Sequence, residues 1–101
     1  MRKLIFTPKA LRKISQIEAY ISNEFGPGNA KEFKRILKNR IRSLKVYPFQ
    51  GESIHDLYGF DTELRRLYIP PNNVIYQVED DKILIDDIFH DKEDYFRKLF
   101  S

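Results

Sequence analysis

Residues 64–90 read LRRLYIPPNNVIYQVEDDKILIDDIFH. Apolar and polar side chains alternate across residues 63–69, 73–78 and 82–89, the period of a half-buried strand. PPNN and EDD separate the three runs, and both are rich in residues that favour tight turns. Short turns between successive strands give an antiparallel meander. Pro70 and Pro71 cannot donate to a ladder, so they belong to the first turn and not to a central strand.

Upstream of residue 48 the period lengthens to that of a helix. Lys3, Leu4, Ile5 and Phe6 form a short β-type run, and TPKALRK follows with Thr7 as N-cap and Pro8 at the first helical position. Leu11, Ile14, Ile17, Ile21 and Phe25 then recur at helical spacing. FGPGN ends this helix, because Gly26 can take a left-handed conformation and Pro27 cannot continue the ladder. A second helix starts at Pro27 or at Asn29, where Asn29 and Glu32 have the spacing of a capping box. Its buried face is Ala30, Phe33, Leu37, Ile41 and Leu44, and it stops at Tyr47, ahead of Pro48. Residues 48–61 read as a loop. Residues 92–100 place Tyr95, Phe96, Leu99 and Phe100 at helical spacing, and Asp91, Glu93 and Asp94 suit the first turn of that helix. The expected order is β-α-α-β-β-β-α, a two-layer α+β domain with a helical hairpin on a mainly antiparallel sheet, spanning residues 1–101 as one unit.

Composition narrows the functions open to such a domain. At 101 residues, roughly 65% of the unfolded surface can be buried, enough for one modest core. There is no cysteine, which excludes disulfides, thiolate nucleophiles and thiolate zinc sites. Two histidines, His55 and His90, are too few for a histidine metal cluster. Asp86 and Asp87 are adjacent on a strand and therefore point to opposite faces, so no metal site is expected there. No cofactor is expected either. The longest uncharged run, residues 67–78, is shorter than the ~18–20 residues that span a bilayer, so no membrane association and a cytoplasmic location are expected.

Charge is uneven along the chain. Residues 1–50 carry twelve Lys/Arg against three Asp/Glu, and residues 51–101 carry six against twelve. On the second helix Lys31, Lys34, Arg35, Lys38, Arg42 and Lys45 form one basic stripe, and the first helix adds Lys9, Arg12 and Lys13 in its opening turns. Cations there work against the helix dipole by ~0.3–1 kcal/mol each. A solvated face explains such a stripe, and so does contact with an acidic partner; mixed signs would be usual for the former, and only Glu32 supplies one within the helix.

Taken in order, FGPGNAKEF, YPFQGES, LRRLYIPPNNVIYQVEDDKILI and IFHDKEDY resemble the RelE/ParE family of toxins from bacterial type II toxin–antitoxin modules. The resemblance covers nearly the whole chain. It implies a curved sheet with the hairpin on one face and an open concave face that an antitoxin segment covers. The antitoxin implied is a small DNA-binding protein encoded beside the toxin. Some relatives cleave mRNA in the ribosome and others poison DNA gyrase, and a fold does not decide between such activities. A growth-neutral interaction module on the same fold is a third reading.

A metal-independent nuclease needs a base, cations for the phosphorane and an acid for the leaving oxygen. The resemblance offers His90, Tyr95, Arg65 and Arg66 for these roles. Arg65 and Arg66 are adjacent on a strand, so one alone reaches the concave face. Asn73 stands where nuclease relatives often carry arginine, Asp86 and Asp87 where they often carry a basic residue, and Asp91 where an arginine often follows the histidine. That pattern favours a gyrase-binding protein. His90 is then a structural or antitoxin-contacting residue, and Tyr76 and Tyr95 are packing residues. Arg65, Arg66, Lys9, Arg12, Lys13, Lys34, Arg35, Lys38, Arg42 and Lys92 become the candidates for contact with antitoxin or target.

Overall fold

The computed structural model describes residues 1–93. Its elements are β1 (Lys3–Phe6), α1 (Pro8–Phe25), α2 (Pro27–Arg42) continued by a 3₁₀ turn (Ser43–Lys45), β2 (Glu52–Ser53), α3 (Ile54–Tyr58), β3 (Arg65–Ile69), β4 (Asn72–Val78) and β5 (Lys82–His90). The expected helix over 92–100, with Tyr95, lies outside the described residues beyond Glu93.

The meander forms as expected, with β3–β4 and β4–β5 antiparallel. β1 lies parallel to β5 at one edge, and β2 pairs with β3 at the other, giving the order β1-β5-β4-β3-β2. Two antiparallel helices joined only by Gly26 pack on one face of this sheet. Thr7 caps α1, its hydroxyl accepting from Ala10 N at 3.0 Å and donating to Asp86 O at 2.7 Å. One residue thus starts the helix and fastens it to β5.

The core between hairpin and sheet contains Leu37, Ile41 and Leu44 from the helical side against Val74, Tyr76, Ile83, Ile85 and Ile88. Burial of a Leu- or Ile-sized side chain contributes ~1.5–3 kcal/mol, so this layer is the main source of stability. The opposite sheet face is not wholly open, as the resemblance implied. Ile54 of α3, with Phe60 and Leu64, packs over Ile75 and Phe89 in a second small cluster.

Four local expectations change. The stretch expected as loop 48–61 contains β2 and α3; a two-residue strand has no readable alternation, and α3 depends on Ser53, whose hydroxyl accepts from Asp56 N at 3.2 Å. No capping box forms at Asn29. Gly26 is the N-cap of α2, the Asn29 amide donates to Phe25 O at 2.6 Å, and Glu32 pairs with Arg35. Leu11 and Phe25 are exposed and Ala10 is buried in their place, so the inward stripe of α1 is Ala10, Ile14 and Ile17. Asp86 and Asp87 do not simply alternate across the sheet. Tyr76 pairs with Ile85 and Ile75 with Asp87, so Asp86 is the extra residue of a β-bulge.

Candidate functional site: an apolar groove flanked by charged clusters

The end of the sheet where β5 stops meets the hairpin in a groove of about 820 Å³. Ile17, Tyr20 and Ile21 of α1 and Phe33 and Ile36 of α2 form one wall. Ile69, Pro70 and Pro71 of the β3–β4 turn form the other, and His90 and Glu93 close one end. Tyr20 and Ile36 are exposed although they lie on otherwise amphipathic helices. The excess of apolar residues on α1 and α2 over a single inward stripe is the sequence signal for this groove.

His90 is the last residue of β5 and pairs with Asn72. Its ring takes part in the turn that follows: Nδ1 accepts from Lys92 N at 3.0 Å, and its backbone N donates to Glu93 Oε2 at 2.8 Å. Lys92 lies in the same turn. Asp91, next to the histidine, accepts from the Tyr68 hydroxyl at 2.6 Å and from Asn73 Nδ2 at 2.8 Å. These two bonds, Tyr68 first, hold its carboxyl below the usual carboxylate range. The same bond raises the Tyr68 phenol. An ionised carboxylate is therefore fixed beside His90.

The register separates the two arginines of β3. Arg65 pairs with Tyr76 and shares the hairpin side, whereas Arg66 pairs with Ile75 on the opposite face. Arg65 donates to Gly51 O and Phe49 O, and its guanidinium sits 5.3 Å from the Phe49 ring. Arg66 pairs with Glu52 at 3.0 Å, reaches the Tyr58 hydroxyl and covers the Tyr68 ring at 5.2 Å. Its Nε is buried without a hydrogen-bond partner. Arg66 thus lies on the face away from the hairpin, and the two arginines do not converge with His90 on one reaction centre.

Lys9 and Lys13, expected as partner contacts, face Asp87. Lys9 Nζ lies 3.1 Å from Oδ2 and Lys13 Nζ 3.6 Å from Oδ1, and Lys13 also meets Glu93 at 3.8 Å. The buried carboxylate accounts for cations at the start of α1, where the helix dipole disfavours them. That misplacement was a legible sign of an internal partner. Asp86 accepts from Gln77, and burial is the main cause that pushes its carboxyl up. On α2, Lys34 meets Glu18 of α1 and Arg35 meets Glu32. Arg12, Lys38 and Arg42 have no ion-pair partner among the described residues and remain exposed. No group of three or more His, Cys, Asp or Glu residues that could hold a metal ion occurs among the described residues. No described helix is long and apolar enough to cross a membrane.

The described residues thus form a two-layer α+β domain with an apolar groove and with unpaired cations on both helices of the hairpin. Residues 4–95 match the family described as the ParE toxin of the type II toxin–antitoxin system parDE. The chain therefore belongs to the ParE toxin family, and it is a ParE-like toxin component. Among solved structures, one titled "Chromosomal ParDE TA system from P. aeruginosa" is similar to it with a TM-score of 0.74 and 20% identity, over 89% of this chain and 96% of that one. At that identity the likeness concerns the fold. No curated protein sequence matches the chain.

Proposed function

We propose that this toxin acts by binding and poisoning DNA gyrase and that it does not cleave mRNA. The observation that carries the reading is the pinned Asp91 carboxylate beside His90. RNA cleavage builds negative charge on the phosphate, and the groups that stabilise it must be cationic or hydrogen-bond donating and already in place. Among the described residues the carboxylates of Asp91 and Glu93 flank His90, Lys13 is tied to Glu93 and Asp87, and Nδ1 of the imidazole already accepts from Lys92 N. Arg65, at the opposite end of β3 from the residue beside Asn72 and His90, is held by carbonyls of another loop.

His90→Ala is expected to leave growth inhibition within a few-fold of wild type. Induction of the wild-type chain in cells, read for both DNA damage response with filamentation and for mRNA integrity, tests the target. Intact mRNA with filamentation is the expected result. Rapid loss of translation with mRNA cut within codons overturns the gyrase reading.

The neutralising partner in this proposal is a small antitoxin encoded beside the toxin. An amphipathic segment of it fills the groove and presents a carboxylate to Arg66. Breaking an interfacial charged pair on one side costs ~2–5 kcal/mol. Arg66→Ala should therefore weaken the complex more than about tenfold, while Arg65→Ala stays within a few-fold. Titration calorimetry with the antitoxin separates the two, and an unchanged dissociation constant for Arg66→Ala refutes the placement.

A further inference from the structure

The corner between α2 and β2, residues 43–51, is fastened from many directions yet turns three apolar side chains into water. Val46 is 57% exposed, Tyr47 67% and Phe49 61%. Beneath them the backbone is locked. Val46 N and Tyr47 N donate to Ser43 O at 3.1 and 2.9 Å. Gln50 folds back to Ser43 Oγ at 2.8 Å and to Tyr47 O at 3.2 Å. The buried Tyr76 hydroxyl donates to Pro48 O at 2.8 Å and accepts from Gly51 N at 2.9 Å. Arg65 holds Phe49 O and Gly51 O from the side. Leu44, fully buried, anchors the start of the corner in the core.

Apart from the Arg65 guanidinium against the Phe49 ring, these side chains are left largely to solvent among the described residues. A rigid backbone that presents aromatic side chains lowers the ordering cost of association, and Tyr and Arg are enriched where binding energy concentrates. Arg42 and Lys45 flank the corner, exposed and without an ion-pair partner among the described residues. Their charge selects a partner with acidic groups around an apolar notch. Arg65 already lies against the Phe49 ring, which removes one stacking surface from an incoming base. That favours a protein over single-stranded nucleic acid, whose recognition uses open aromatic platforms.

We infer that residues 42–49 are the surface by which the toxin docks on its target, an acidic protein surface with an apolar notch, separate from the groove assigned to the antitoxin. This inference rests on the toxin reading above and adds the contact surface. It predicts that the corner can be disabled without loss of neutralisation. A Tyr47→Ser/Phe49→Ser variant should lose growth inhibition by roughly 30-fold, the effect of one binding hot spot. Its antitoxin dissociation constant and melting temperature should match the wild type, which also verifies the fold. Arg42→Glu/Lys45→Glu should lose inhibition to a similar degree. A photo-reactive phenylalanine analogue at position 47 should yield an adduct in growing cells that protease destroys and nuclease leaves intact.

Each contrary outcome is decisive. Undiminished killing by the double serine variant overturns the inference alone, as does an antitoxin affinity that falls in parallel. Undiminished killing by the charge-reversed variant overturns the acidic partner, and a nuclease-sensitive adduct overturns the protein partner. A wild-type chain that is harmless on induction removes the toxin reading and the docking surface together.

Discussion

Replacing Lys9 and Lys13 together by alanine is expected to destabilise the protein by about 3 kcal/mol and to lower its melting temperature by roughly 12–24 °C. The Asp87 side chain is 1% exposed and has these two ammonium groups at 3.1 and 3.6 Å. Removing the cations leaves a carboxylate buried without a counter-charge, which typically costs 3–5 kcal/mol. The low end applies because Lys9 is 55% exposed, so water already reaches part of the pair. Lys13, only 24% exposed, should account for more of the loss than Lys9. Adding Asp87→Asn to the double variant should restore most of the stability, since a neutral amide needs no counter-charge. Urea and thermal melts of the wild type, the double lysine variant, Asp87→Asn alone and the triple variant measure the coupling. A double variant as stable as wild type would show that the carboxylate is not energetically tied to α1.

Gly51→Ala should be comparably damaging, at about 3 kcal/mol, the upper end of what overpacking costs, for a steric reason. A Cβ at this position would lie 2.6 Å from the Tyr76 hydroxyl oxygen, 2.7 Å from Arg66 O and 2.8 Å from Tyr76 Cε1. Tyr76 is fully buried between sheet and hairpin and cannot swing aside, and Arg66 O belongs to the β3 backbone. The side-chain clash and the backbone clash must both be relieved, so β2 would separate from β3 and the Tyr76 hydroxyl would lose Gly51 N. Tyr76→Phe, which removes the hydroxyl but keeps the ring, is expected to cost less, about 1–3 kcal/mol from two backbone groups left without their partner. Denaturant midpoints for the two variants check the ranking, and a Gly51→Ala protein as stable as wild type would show that the loop moves freely.

The elements that could be read in the sequence are those whose signal repeats. The strand runs over 63–69, 73–78 and 82–89 lie within two residues of β3, β4 and β5 at every end, because half-buried strands must alternate whatever packs against them. The hairpin was equally legible: Thr7, Pro8, Gly26 and Pro27 punctuate the chain through their own backbone chemistry. Features without a repeat were invisible. The two residues of β2 depend on pairing with β3, the extra residue Asp86 depends on the register between β4 and β5, and the five residues of α3 are too few to show a period.

The candidate site divides along the same line. Residue types alone indicated that the surroundings of His90 are acidic, and the pinned Asp91 agrees with that reading. By itself the sequence determined the fold class, the Thr7 cap, the alternating core and the excess of cations on the helices, because propensity and period act within a few residues. Only the tertiary structure decided that Lys9 and Lys13 neutralise Asp87, that Arg66 and not Arg65 faces away from the hairpin, and that an apolar groove and a locked aromatic corner are left open among the described residues. A one-residue change of register moves a side chain to the other face of a sheet. Long-range pairing therefore sets what meets what, and no local pattern encodes it.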